Sequence, residues 1–310
     1  MRFTGVILIM VAAVGWGLSG GIGDILMNRG WDPIVISFYR GLVGLFFFFI
    51  WFLATPFPDV KPMARLYVWS ALAGLGVAGN FSFYYFSIQA SSVAIAATLM
   101  YTAPIFVLLL SFALKLERST WFKWGCITSV MIGIVLLTGA YNPASIAVSG
   151  IGIAAGLAAG LSYTLFIFGF KNASPLGKPQ TALTVAFATF CIVLFALGDH
   201  GQMAAVLTSD DLPIFVLLGV VGAGISFIFY IYGIRLTTPT IAAMVAMVEP
   251  VTASLFGVLL GDVLSLIQVL GMAVILLTVV ALSTRREIPA PAEAPAPEDM
   301  EYDATFEEEQ

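Results

Sequence analysis

Residues 76–104, GVAGNFSFYYFSIQASSVAIAATLMYTAP, recur without a gap at residues 222–250, GAGISFIFYIYGIRLTTPTIAAMVAMVEP. Nine of the 29 pairs are identical, among them Gly76/Gly222, Phe81/Phe227, Tyr84/Tyr230, Ala97/Ala243 and Pro104/Pro250. The offset of 146 also brings Gly125 onto Gly271 after a compensating slip near Glu117 and Asp262. Gly5 and Gly15 meet Gly150 and Gly160 at an offset of 145. The chain is therefore a duplication, and its fold follows from what one copy contains.

Each copy is mostly apolar. The 310 residues are 60% hydrophobic and only 10% charged, with a mean hydropathy of +1.01, against about 25% charged in an ordinary soluble domain. A bilayer core about 30 Å thick needs about 20 apolar residues per helix. Apolar runs bounded by charge, Pro or Gly predict ten spans near 4–27, 34–54, 66–87, 91–113, 121–141, 149–170, 179–198, 212–234, 239–260 and 264–284. The expected fold is thus an all-α membrane protein of ten transmembrane helices. It divides into a first five-helix repeat over 3–141, a second over 149–284, and a tail over 285–310. Five is odd, so the second copy enters the membrane upside down. Two inverted repeats are a signature of secondary transporters, whose substrates bind near the midplane between the halves.

Charge placement orients the chain. With a cytoplasmic N-terminus, the inner segments hold Arg2, Lys61, Arg65, Lys115, Arg118, Lys123, Lys171, Lys178, Arg235, Arg285 and Arg286, and the outer segments hold only Arg29. Basic short loops resist translocation, so both termini are expected in the cytoplasm of a cell whose inner membrane holds the protein. The net charge of −5 comes from the tail. Nine of the 18 acids lie in 287–310, and the 13 Lys and Arg exceed the other nine by four. The tail's Pro-Ala repeats and acids, without apolar periodicity, predict disorder. The first apolar run reads as a retained helix rather than a cleaved signal. Cys126 and Cys191 fall inside apolar runs and read as packing residues. His200, the only histidine, sits beside acids in the loop before Asp211 and supports no metal site.

Several residues stand out within the spans. Gly76, Asn80 and Tyr84 share one helix face, as do Gly222, Ser226 and Tyr230. That stripe reads either as close packing through small residues or as cavity lining. Trp16 lies mid-span in the glycine-rich run VGWGLSGGIG, where a lipid-facing indole would leave its N–H without a partner. Tyr101 lies roughly 15 Å into the fourth span, close to the midplane, and its repeat partner is Met247. A site lined by Trp16, Asn80, Tyr84, Tyr101, Tyr163, Ser226, Tyr230, Met244 and Met247 offers aromatic walls, adaptable thioethers and a few neutral hydrogen bonds. It suits an organic substrate with an apolar part. With no cluster of Lys or Arg in the spans, it suits a phosphate poorly.

Arg40, Glu249 and Asp24 are the intramembrane charges. Each costs at least about 2.5–3.5 kcal/mol in hydrocarbon, so each must face protein or water. Arg40 is expected to be paired with an acid, and Glu249 to be either that acid or a group that changes protonation during transport. Glu117 and Asp262, at helix ends, are expected to remain hydrated and outside the transport chemistry. The glycines at 15, 17, 20, 21, 23 and at 150, 152, 156, 160 open each half with a small-residue helix, for packing or for flexing. The spans hold no paired acidic motif, no His and no Gly-x-Ser-x-Gly elbow, so no catalytic residue and no metal are assigned and an enzyme is disfavoured. A passive channel or a receptor is the other alternative. Without a Walker motif or soluble nucleotide domain, neither a cofactor nor ATP drive is expected. The partners expected are a small molecule and the lipid bilayer, with no nucleic acid, and a monomer is the expected state.

Residues 90–125, ASSVAIAATLMYTAPIFVLLLSFALKLERSTWFKWG, and 237–271, TTPTIAAMVAMVEPVTASLFGVLLGDVLSLIQVLG, resemble the two halves of the drug/metabolite transporter superfamily, specifically its EamA-type ten-helix exporters. Pro104, Glu117 and Gly125 match the pattern, then Pro250, Asp262 and Gly271, with Asp262 in place of the usual Glu. PIVISFYR, residues 33–40, resembles the family's second span. Among members the chain looks most like YddG-type exporters of aromatic and other neutral amino acids. The resemblance implies a central cavity surrounded by the first, third, fourth, sixth, eighth and ninth helices, and export by alternating access.

Overall fold

The structure, a computed structural model, describes residues 2–55, 64–142 and 149–284; the tail expected at 285–310 lies outside the described residues. Ten helices are long and apolar enough to cross a membrane. They run Phe3–Asn28, Pro33–Ala54, Ala64–Ala90, Val93–Ala113, Trp121–Thr138, Gly150–Ala173, Pro179–Leu197, Leu212–Leu236, Pro239–Leu259 and Leu266–Thr284, here the first to the tenth span. Only one other helix, the short His200–Val206, is formed among the described residues. Large apolar side chains such as Phe46, Ile50, Leu53, Ile192 and Leu277 stay about half exposed or more. Water would not tolerate so broad an apolar surface, whereas acyl chains do.

Local chemistry sets the helix ends. Asp32 accepts hydrogen bonds from the amides of Ile34 and Val35, which caps the second span ahead of Pro33. Ser92, Thr120 and Ser149 cap the fourth, fifth and sixth spans through their hydroxyls. The fourth and ninth spans are each broken in mid-membrane. A proline cannot donate to the carbonyl four residues back, and its ring collides with it. For Pro104 that carbonyl belongs to Met100, and for Pro250 to Ala246. The first segments end at those residues, Val93–Met100 and Pro239–Ala246, and helix resumes at Ala103 and Val248. Tyr101 and Met247, the pair that the repeat relates, are the residues at the two breaks.

The packing obeys a pseudo-two-fold exchange of the halves. The third span lies on the sixth and the first on the eighth; the sixth lies on the fourth and the first on the ninth; the second pairs with the seventh and the fifth with the tenth. Glycine explains the closest approaches. A Cβ on Gly76 would collide with the backbone at Phe166, and one on its repeat partner Gly222 would strike Ser19. The two copies depart from symmetry in the eighth span. Its residues Val220–Ile225 widen into a π turn, and Ser226 Oγ donates to the Val221 carbonyl at 2.5 Å. The third span is α-helical throughout. Single π turns in long helices cluster at functional sites.

The two ends of the bundle also differ. At the end bearing Lys115, Arg118, Lys171 and Lys178, the segment Ala103–Ala113 of the fourth span packs on Pro239–Ala246 of the ninth, all eight of whose residues are buried. At the opposite end the equivalent segments, Val248–Leu259 and Val93–Met100, make no comparable contact. In Val93–Met100 only Ala96, Ala97 and Met100 are buried. The bundle is sealed at its basic end and splayed at the other.

Candidate functional site

A cavity of about 40 Å³ lies between the halves, lined by Trp16, Arg40, Val77, Asn80, Phe81, Tyr163, Phe166, Phe227 and Glu249. The residues come from the first, second, third, sixth, eighth and ninth spans. The fourth span, expected at the cavity, contributes none, and the second contributes Arg40. The volume holds only a few waters, far below the roughly 300 Å³ or more of a ligand pocket.

Of the residues expected at the site, Trp16, Asn80 and Tyr163 line this cavity together with the charges Arg40 and Glu249. Trp16 is held in an aromatic cluster. Its ring lies 5.1 Å from Tyr230, 5.2 Å from Phe227 and 5.8 Å from Phe166. Tyr230 therefore buttresses Trp16 from behind, and Phe166 joins both of them to Tyr163. Asn80 is fixed by donating from Nδ2 to the Ala159 carbonyl at 3.0 Å, across the contact between third and sixth spans. Trp16 Nε1 and the Tyr163 hydroxyl are buried without a hydrogen-bond partner among the described residues. Such groups are costly unless satisfied from the cavity.

Other expected residues stand off. Tyr101, Met244 and Met247 are buried in the packing around the two breaks, and Ser226 spends its hydroxyl on the π turn. Tyr84 is partly buried and Asp24 is exposed, and both lie outside the lining. Tyr84 and Tyr101 do lie within electrostatic reach of the Glu249 carboxylate. The lining also includes Val77, Phe81, Phe166 and Phe227, which sequence reasoning passed over among 25 phenylalanines. Phe81 and Phe227 are an identical repeat pair, a signal that was available.

The expected ion pair between Arg40 and an acid is not formed among the described residues. The guanidinium stands over the Phe81 ring, 3.8 Å from its centroid, and its Nη1 reaches only Ser19 Oγ, at 3.4 Å. A ring face and a long hydroxyl contact satisfy the cation in part. The ion pairs among the described residues lie instead at the two ends, Lys123–Glu117 and Arg29–Asp211. The first corrects the expectation of a hydrated Glu117. That residue is only 6% exposed. It accepts from Lys123 Nζ at 2.5 Å and from the Thr240 amide at 3.1 Å, so a carboxylate of the first repeat caps the ninth span of the second. Lys171 donates to the Ile234 and Thr237 carbonyls beside it, closing the end of the eighth span. Asp262, the repeat partner of Glu117, is exposed.

At the splayed end, Asp211 takes the Trp31 indole N–H at 2.7 Å and the Arg29 guanidinium. The Trp31 bond, then Arg29, hold its carboxyl below the usual carboxylate range against a smaller opposing effect of burial. No cluster of three or more metal-ligating side chains occurs among the described residues.

A profile of the EamA-like transporter family matches residues 3–139 and again 150–284. Over 284 residues the chain is 30% identical to a protein of Archaeoglobus fulgidus named as an uncharacterized transporter, covering 89% of this chain and 94% of that one. It is 24% identical to the uncharacterized transporter YwfM of Bacillus subtilis, over 93% and 96% of the two chains. With the uncharacterized inner membrane transporter YedA of Escherichia coli it shares 26% identity, over 82% and 83%. A crystal structure with 18% sequence identity superposes with a TM-score of 0.70, over 91% of this chain and 97% of the other, which shows the same fold. With the whole helical region matched twice by one transporter profile, the chain belongs to the EamA-like transporter family of the drug/metabolite transporter superfamily and is a membrane transporter rather than an enzyme.

Proposed function

We propose that the protein exports small organic metabolites, foremost aromatic and other neutral amino acids, by alternating access across an inner membrane, with both termini in the cytoplasm. The observation that carries this reading is the cavity walled by Trp16, Phe81, Phe166 and Phe227. Aromatic walls favour a cargo with an apolar arm, and only a few polar groups remain to orient it. The unequal ends support a carrier over a pore. The basic end, cytoplasmic by its charge, is packed shut between the fourth and ninth spans, while the other end is splayed. In an inverted repeat the opposite arrangement is reached by exchanging the conformations of the two halves. The small cavity requires such movement, because a cargo the size of phenylalanine needs several times the observed volume. The two repeats, 3–141 and 149–284, are then the moving units.

The test is counterflow in proteoliposomes with a panel of amino acids and other metabolites, with and without a pH gradient. Saturable counterflow of phenylalanine or methionine is expected, and Trp16→Ala, normalised to folded protein, is expected to weaken half-saturation roughly tenfold through about 1–3 kcal/mol of lost contact. Leak without saturation would favour a channel. Failure of every amino acid, with another metabolite transported, would reject the substrate class.

A further inference from the structure

Arg40 from the second span and Glu249 from the ninth line one small cavity within electrostatic reach of each other, yet they form no direct ion pair among the described residues. The Glu249 carboxylate makes no hydrogen bond or ion pair among the described residues, although it lies in the first turn of the second segment of a broken membrane helix. Arg40 has the Phe81 ring and a long contact to Ser19, and its guanidinium fork has no carboxylate. Both are held at membrane depth, where an uncompensated charge is costly. Around them Trp16 Nε1 and the Tyr163 hydroxyl are buried without hydrogen-bond partners among the described residues. The cavity thus presents one positive group, one negative group, three neutral polar side chains, Trp16, Asn80 and Tyr163, and aromatic walls.

The species complementary to that set carries both charges and no net charge. We propose that Arg40 and Glu249 form a zwitterion clamp: the Arg40 fork takes an α-carboxylate, the Glu249 carboxylate takes an α-ammonium, and the side chain lies among Trp16, Phe166 and Phe227. The proposal deepens the amino-acid reading above and rests on it. Its content is new in one respect, that both backbone charges of the cargo are read, each by one residue. A planar guanidinium matches a carboxylate in two parallel bonds, and a carboxylate matches an ammonium by charge. A cargo that supplies one charge alone leaves the other protein charge buried and unmatched. The clamp therefore rejects amines and acids of the same shape, and it accepts a range of side chains because the aromatic walls are not hydrogen-bonding.

The test is binding to the purified full-length protein in lipid nanodiscs, by calorimetry, of L-phenylalanine, phenethylamine and 3-phenylpropionate. Wild type is expected to prefer phenylalanine to each of the others by roughly tenfold or more, the scale of a lost hydrogen bond to a charged group. Glu249→Gln should erase the preference over 3-phenylpropionate, which has no ammonium, and keep that over phenethylamine. Arg40→Gln should do the reverse. Equal loss of all three ligands in both variants, or an unchanged order, would overturn the clamp. The wild-type ligand series decides on its own if a variant misfolds, because equal affinity for phenylalanine and phenethylamine overturns the proposal. Wild type that binds no amino acid defeats the substrate class and the clamp together. Wild type that binds and transports phenylalanine while both variants keep its ligand order defeats the clamp alone.

Discussion

The fourth and ninth spans have the same backbone plan and different chemistry. Each breaks three residues before a proline, at Tyr101 and at Met247. Yet the position before the proline is Ala103 in one and Glu249 in the other, so only the second copy brings an acid to the cavity. Their N-termini differ as well. The fourth is capped by its own Ser92 at the splayed end. At the sealed end Thr238 makes no side-chain cap, and the ninth receives a buried carboxylate, Glu117, from the other repeat. Duplication has kept the proline breaks and let charge and end contacts diverge. One sequence pattern thereby yields a closed end and an open one in the same molecule.

Four substitutions test that contrast. Glu117→Ala removes the cap of the ninth span and takes the carboxylate from a buried ammonium, so it should cost about 3–5 kcal/mol and lower the melting temperature in detergent by the largest margin of the four. Ser92→Ala, at the equivalent terminus, should cost only about 1 kcal/mol in the same assay. Equal losses would mean that the two ends are closed alike and that the contrast is wrong. Asp262→Asn, at the exposed counterpart of Glu117, should stay within about 0.5 kcal/mol of wild type. The smallest effect concerns acid. Because the folded Asp211 carboxyl titrates below its ordinary 3.8, its contribution is present above that value and is lost as pH falls through the lower folded one. Asp211→Asn should lower stability slightly at neutral pH, and the difference from wild type should shrink as pH falls below about 4; a difference that persists undiminished in acid would contradict this.

Much of the fold was legible because lipid leaves few options. Every backbone polar group in a span must be satisfied internally, so runs of about 20 apolar residues become helices, and the ten observed spans fall within a few residues of their expected limits. The charge balance of the loops and the 146-residue offset were equally plain. The breaks at Tyr101 and Met247 were implicit in Pro104 and Pro250, whose effect on the carbonyl four residues back is a matter of sterics. The π turn at Val220–Ile225 was not legible, since an extra residue per turn leaves no mark on hydropathy. At the cavity, Trp16, Asn80, Tyr163, Arg40 and Glu249 could be found from polarity at membrane depth. Phe81 and Phe227 could be found from their identity in the repeat, but Phe166 could not, because a phenylalanine facing lipid and one facing a cavity look the same until the packing partner is known. The burial of Glu117 escaped for a similar reason: the ninth-span terminus that it caps lies 123 positions away along the chain.

The central claim is that the cargo occupies the cavity between the halves, and labelling of a cysteine in its wall tests this most directly. With Cys126 and Cys191, both buried, replaced by alanine, Val77→Cys puts one thiol in the lining. Its rate of modification by a small, membrane-impermeant thiol reagent is measured in proteoliposomes with and without saturating phenylalanine. Phenylalanine is expected to slow modification in proportion to its occupancy, with the half-effect at the half-saturation of transport. An unchanged rate in the presence of a substrate that the same protein transports would place the cargo elsewhere and contradict it.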